Sequence, residues 1–345
     1  MTAVCFISET GIPDRPIRDA SVRYRCFHPA EALVAQGDFA SVYSAARFFS
    51  EPNLEYDVYV FHRPRADRTS FSEIVRHLRK ANKTLIADYD DLIFGDREIA
   101  LQSSILASGR VSAERALSIF EQNLHAMLMF DKIQTSTEPL AQHAIALNPN
   151  ADVRVVPNAV SASIASIHQQ LETHMRMRPT TSIGYFAGSR SHDRDLSIVG
   201  PALQRVLTES ADFSLLVVGP VALPADLAAL PNVIVGETVD YLRLPSLMAS
   251  CATVIAPLEI TEFTACKSRV KFLEAALSGS RLVATPIPDM LGLGSARMEF
   301  ASTADEWYEA LSNVSGSGED ARKRDNFEFV RRESCMTELS TFWRR

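Results

Sequence analysis

The sequence predicts an α/β chain of two domains, each an open parallel sheet with helices on both faces. Three observations carry this. Short apolar runs of strand length alternate with amphipathic helical stretches along nearly the whole chain, the pattern of βα units rather than of hairpins. The series ends near Val153-Arg154-Val155-Val156 and restarts at Ser182-Ile183-Gly184-Tyr185-Phe186-Ala187, beyond a polar, Met- and Arg-rich crossing from Ser161 to Thr180. Finally, 345 residues exceed one ordinary core and fit two domains of roughly 150 residues each.

In order, Ala3 to Ser8 reads as a buried strand, followed by a long polar loop that carries Arg15, Arg18, Arg23 and Arg25. A helix begins near Pro29 and ends at Gly37, the proline and glycine marking its two ends. Tyr56 to Phe61 and Thr84 to Asp88 are strands, Ala113 to Met129 has helical periodicity, and Ser136 or Thr137 caps the next helix. After the crossing come a strand at 182–187, a helix from Leu196, strands at Phe213 to Val218, Asn232 to Val235 and Cys251 to Leu258, a helix over Lys267 to Ser278, and a strand from Arg281.

Composition narrows the function. With 46% hydrophobic and 22% charged residues, the chain is neither disordered nor repetitive. A net charge of −7 argues against a nucleic-acid partner, which a basic face would serve. Five cysteines without a C-x-x-C indicate neither a disulfide framework nor a zinc site. No signal pattern opens the chain, and the most apolar run, Ser214 to Pro231, is interrupted by glycine, prolines and an aspartate. A cytoplasmic setting is the expectation.

Candidate site residues follow from position. Ligands of open α/β sheets bind outside the carboxyl ends of the strands, which is where His62, Asp88, Asp90 and Asp91 fall, with Arg23 and Arg25 in the loop after the first strand. The three carboxylates suit either a divalent metal or substrate hydroxyls. At about 100° per residue, Lys267, Lys271, Glu274 and Ser278 share one stripe of their helix, with Val270, Leu273, Ala276 and Leu277 opposite. Lysines near a helix N-terminus suit a diphosphate; a solvated face with a Lys271–Glu274 pair is the plainer reading. The G-x-G-x-x-G dinucleotide fingerprint is absent.

The order of these features resembles the GT-B glycosyltransferases, in particular their large retaining group and its polysaccharide-assembly branch. Val155-Val156-Pro157-Asn158 is similar to that group's interdomain crossing, Gly188-Ser189-x-x-His192-x-x-Asp195 to its first donor-domain loop, and Asp88-Tyr89-Asp90-Asp91 to its D-x-D-D loop. Asn232-Val233 to Gly236, Ala252 to Leu258 and Lys267-Ser268-x-x-Lys271-x-x-Glu274-Ala275 to Gly279 match later donor-domain turns. The resemblance implies two Rossmann-like, doubly wound domains facing across a cleft: 1–175 for the acceptor, joined by tail helices over 325–345 and anchored by Phe342 and Trp343, and 176–324 for the donor. It implies a nucleotide-sugar donor held by Gly188, Ser189, Arg190, His192, Glu237, Val239, Lys267, Ser268, Lys271 and Glu274. The acceptor falls to Arg23, Arg25, His62, Asp88, Asp90 and Asp91, and His62, Asp90, Arg190 and Lys271 carry the reaction. The group's chemistry implies retention, no metal and no other cofactor. Its setting implies a glycan or lipid-linked acceptor of bacterial surface polysaccharide synthesis, and a peripheral contact with the inner membrane face. One departure is plain: of the group's E-x7-E signature, the second glutamate is Glu274 but the first position is Cys266.

Two rivals stay open. A single-domain GT-A enzyme would use Asp88 and Asp90 as a metal-binding D-x-D, against which the second βα series speaks. A catalytically inactive GT-B-like scaffold or glycan-binding partner would explain Cys266.

Overall fold

Val4 and Phe6 point to one side of the first strand and Cys5 and Ile7 to the other, and all four are buried. Such a strand has to be covered on both faces, as in parallel sheets flanked by helices. The structure, a computed structural model, describes residues 1–107, 109, 111–170, 180–188, 193–313, 319–333 and 343. These pack as two units. The first comprises Met1–Ala162, the short segment Cys266–Ser268 and Trp343; the second comprises Ser163–Ala265 and the chain from Arg269 through the helix Glu319–Glu333.

In the first unit β1 (Ala3–Ser8), β2 (Phe39–Ser44), β3 (Val58–His62), β4 (Thr84–Tyr89), β5 (Lys132–Thr135) and β6 (Asp152–Val155) form one parallel sheet in the order β2-β1-β3-β4-β5-β6. Val4, Phe6, Val58, Val60 and Ile86 pack on one face with Val22, Cys26, Leu33 and Trp343. An aromatic cluster of Phe48, Phe61, Phe71 and Phe130 packs together elsewhere in this unit. Trp343 meets Phe6 edge to face at 5.8 Å, which ties the end of the chain into the first unit.

The second unit repeats the plan with β7 (Ser182–Phe186), β8 (Ser214–Val218), β9 (Val233–Gly236), β10 (Thr253–Ala256), β11 (Arg281–Ala284) and β12 (Glu299–Phe300), ordered β12-β11-β10-β7-β8-β9, again all parallel. Its core joins Ile183, Tyr185, Leu215, Val217 and Ile255 to Leu196, Leu203 and Trp307 of the helices Asp193–Glu209 and Ala304–Ser312. At the end of β8, Gly219 has φ +122°, and a Cβ there would lie 2.0 Å from the Ala187 carbonyl oxygen. Only glycine lets β7 and β8 end side by side.

Several elements differ from the sequence reading. The arginine-bearing stretch expected as loop is helical from Ala20, capped by Asp19, and contains a wide five-residue turn in which the His28 N–H reaches the Arg23 carbonyl. Arg23 and Arg25, expected to reach a ligand from a loop, are buried there. The helix expected over Lys267 to Ser278 spans only Val270–Leu277, because the Arg269 N–H and guanidinium are both held by Asp289, fixing the helix start after Lys267. The strands β2, β5 and β12 were not anticipated.

Candidate active site

Parallel register builds the site. Ser8 of β1 lies opposite His62 of β3, His62 opposite Asp88 of β4, and Asp88 opposite Gln134 of β5. Register partners in a parallel sheet share a face, so four polar residues form one row at the carboxyl ends of four strands. The strand order reverses between β1 and β3, where open α/β sheets bind ligands.

Two networks grow from this row. In the inner one, Arg25 and Asp88 are both buried, with Arg25 Nη2 2.5 Å from Asp88 Oδ1. Arg25 also donates to the Val156 carbonyl at 2.6 Å and to Asn158 Oδ1 at 3.1 Å. Gln134 donates to Asp88 Oδ1 at 3.0 Å and accepts from the Trp343 indole at 2.9 Å. Asn158 Nδ2 donates to Ser268 Oγ at 2.9 Å. Burial opposes the charge on Arg25, but Asp88 beside it outweighs burial and keeps the guanidinium protonated.

The outer network reaches solvent through Arg63, Asp91 and Lys267. His62 is enclosed, with Ser8 Oγ 2.7 Å from Nδ1 and Asp90 Oδ1 3.0 Å from Nε2. A carboxylate only accepts, so Nε2 carries a proton in this arrangement. Asp90 also accepts from the Ser21 hydroxyl and, at 2.7 Å, from Arg63 Nε. Burial would raise the Asp90 carboxyl, yet Arg63 and His62 hold it well below the usual carboxylate range. Asp91 pairs with Lys267 Nζ at 2.9 and 3.0 Å. Each of the three carboxylates therefore has a cation of its own.

Of the expected acceptor residues, His62, Asp90 and Asp91 gather in the outer network. Arg25 and Asp88 lie beneath it, bound to one another, and Arg23 donates to the Ile17 carbonyl at 3.0 Å. Ser8, Ser21 and Arg63 join them without having been singled out. A polar residue ending each of two neighbouring apolar strands was the readable signal for Ser8 and His62.

The expected donor residues divide. Lys271 and Glu274 stand one helical turn apart in the second unit and pair at 2.8 Å. Behind them His168 is buried, 3.4 Å from Ser278 Oγ. Gly188 is exposed after β7, with open space where a Cβ would stand. Glu237 is exposed and Val239 half-buried after β9. Lys267 and Ser268 are seated in the first unit instead. Ser189, Arg190 and His192 lie outside the described residues. Cys266 is fully buried, and its carbonyl accepts from Thr137 Oγ1 at 3.0 Å.

No protein-family model matches the chain, and no curated protein sequence matches it. Solved structures do. HepE of Anabaena, in complex with UDP and glucose, aligns over 99% of this chain and 98% of its own with TM-score 0.62 and 14% identity. The chain has the GT-B fold. Sucrose-phosphate synthase from Thermosynechococcus elongatus aligns over 99% and 97% with TM-score 0.62 and 12% identity. An α-glucosyltransferase in complex with UDP and a 13-mer DNA aligns over 100% and 99% with TM-score 0.67 and 9% identity.

Proposed function

We propose that the chain is a glycosyltransferase that moves a sugar from a nucleotide-sugar donor to an acceptor hydroxyl. The observation that carries this is the end-to-end likeness to glycosyltransferases crystallised with UDP, together with a polar row at the strand ends where this fold class binds ligands. Lys271 meets the donor diphosphate and Glu274 the adjoining ribose, on the helix Val270–Leu277. Arg190 and the stretch from Gly188 to His192 complete the phosphate side, and Glu237 and Val239 the base side. A departing nucleoside diphosphate gains negative charge as the glycosidic bond breaks, so cations placed at it stabilise the transition state beyond the ground state.

Asp90, oriented by His62, Ser21 and Arg63, accepts a hydrogen bond from the acceptor hydroxyl. The acceptor is a glycan or lipid-linked sugar of bacterial surface polysaccharide synthesis; the net charge of −7 disfavours DNA. Transfer proceeds with retention and without a metal. The separate cation facing each of Asp88, Asp90 and Asp91 supports the metal-free reading, since an ion would have to displace three pairings. Among the described residues no helix is long and apolar enough to cross a membrane, which leaves a peripheral contact as the proposed link to a lipid-linked acceptor.

One observation favours a second reading, a catalytically inactive GT-B-like binding partner: Cys266 is buried where the first glutamate is expected. A panel of nucleotide sugars separates the two. A true donor at ~100 times its Kd raises stability by roughly 2.7 kcal/mol, and its release of nucleoside diphosphate in the presence of an acceptor continues unchanged under chelator. Loss of turnover with chelator and its return with manganese contradicts the metal-free proposal. Donor binding without transfer to any acceptor favours the inactive partner.

A further inference from the structure

Arg63 combines three properties. Its backbone lies at φ +53°, a region that side-chain-bearing residues avoid, and it precedes Pro64, which disfavours it further. Its Nε is pinned to Asp90 at 2.7 Å. Its side chain is 28% exposed, and among the described residues its two terminal nitrogens have no protein partner. A counter-ion for Asp90 needs none of this, since a lysine on relaxed backbone would serve. A guanidinium fixed at its root, with paired N–H groups left over, matches the two oxygens of a phosphate or carboxylate.

The carboxylates nearby are already engaged. Asp90 accepts from Ser21, His62 and Arg63. Asp91 is paired with Lys267, and Asp19 accepts from the Thr10 hydroxyl at 2.8 Å and the Ser21 N–H at 3.1 Å.

We propose that Arg63 is the oxyanion clamp of the acceptor site, so that the acceptor carries a phosphate or carboxylate seated on its terminal nitrogens at the carboxyl end of β3. The word acceptor rests on the glycosyltransferase reading; the clamp does not.

Calorimetry on the full chain without nucleotide tests it, with glucose 6-phosphate, glucuronate and glucose as probes. At least one of the two anions binds roughly tenfold or more tightly than glucose, and the tighter of them tells phosphate from carboxylate. Arg63→Lys keeps a charge beside Asp90 yet lowers anion affinity roughly tenfold, a larger loss than it causes for glucose. Arg63→Gln does the same, and melting curves of both variants check the fold. Failure of both anions to bind, equal affinity for glucose, or unchanged anion affinity in folded Arg63→Lys overturns the proposal. Binding of the anions by a chain that binds no nucleoside diphosphate overturns the glycosyltransferase reading and keeps the clamp. Nucleoside diphosphate binding without anion preference does the reverse.

Discussion

Arg25 and Asp88 hold the floor on which Ser8, His62 and Asp90 stand. Both are buried, and their pairing is completed by Asn158, Gln134 and the Val156 carbonyl. Removing one partner leaves an uncompensated charge in the interior, which costs about 3–5 kcal/mol. Urea unfolding of Asp88→Ala should show a loss of that size, and the double variant Arg25→Met, Asp88→Leu should lose less than the two single variants together.

His168 makes a second claim that a titration can check. Burial lowers its pKa to about 4, against weaker raising effects from Glu274 and the Leu277 backbone. The unfolded chain takes up that proton near pH 6.5, while the folded chain resists it until about pH 4. Stability from this group is therefore complete above pH 6.5 and is lost as pH falls towards 4. Between pH 7.5 and 5 the loss is about 2 kcal/mol, and His168→Gln should flatten that part of the urea-stability profile.

The strands were legible where an apolar run is buried on both faces, and β5, Lys132-Ile133-Gln134-Thr135, was missed because its buried residues are partly polar. Ala3 to Ser8 reads as a strand and is one over the same residues, because its apolar run has no helical period and polar residues bound it. The strand β2, Phe39-Ala40-Ser41-Val42-Tyr43-Ser44, lies at the sheet edge and is half exposed, so its composition carries no such run. Arg25 was read as a ligand contact because the partner that buries it, Asp88, sits 63 residues away in the chain, while Arg23 is turned to the Ile17 carbonyl. Lys267 illustrates the limit of periodicity, since a stripe says which residues would share a face but not where the helix starts. Gly219 shows what a single glycine secures. Gly219→Ala combines a strained φ with a Cβ 2.0 Å from the Ala187 oxygen, and should cost about 2–5 kcal/mol by thermal or urea unfolding.

The two-domain α/β plan was legible because the βα series restarts after the crossing, and the structure repeats one parallel six-stranded plan in both units. The site geometry in the first unit was only partly legible, because register brings Ser8, His62, Asp88 and Gln134 into line from strands far apart in the chain. On the proposed donor side, a residue on the Val270–Leu277 helix and one a turn later can meet phosphate and ribose in turn, since the rise between them is about 4.5 Å. The most direct test is calorimetric titration of the donor's nucleoside diphosphate, and of its parent nucleoside, into the wild-type chain, Lys271→Ala and Glu274→Gln. The account predicts that the wild type binds the diphosphate, that Lys271→Ala weakens it more than the nucleoside, and that Glu274→Gln weakens both by roughly 1.5–3 kcal/mol. Unchanged binding in both folded variants, or a wild-type chain that binds no nucleoside diphosphate, would contradict it.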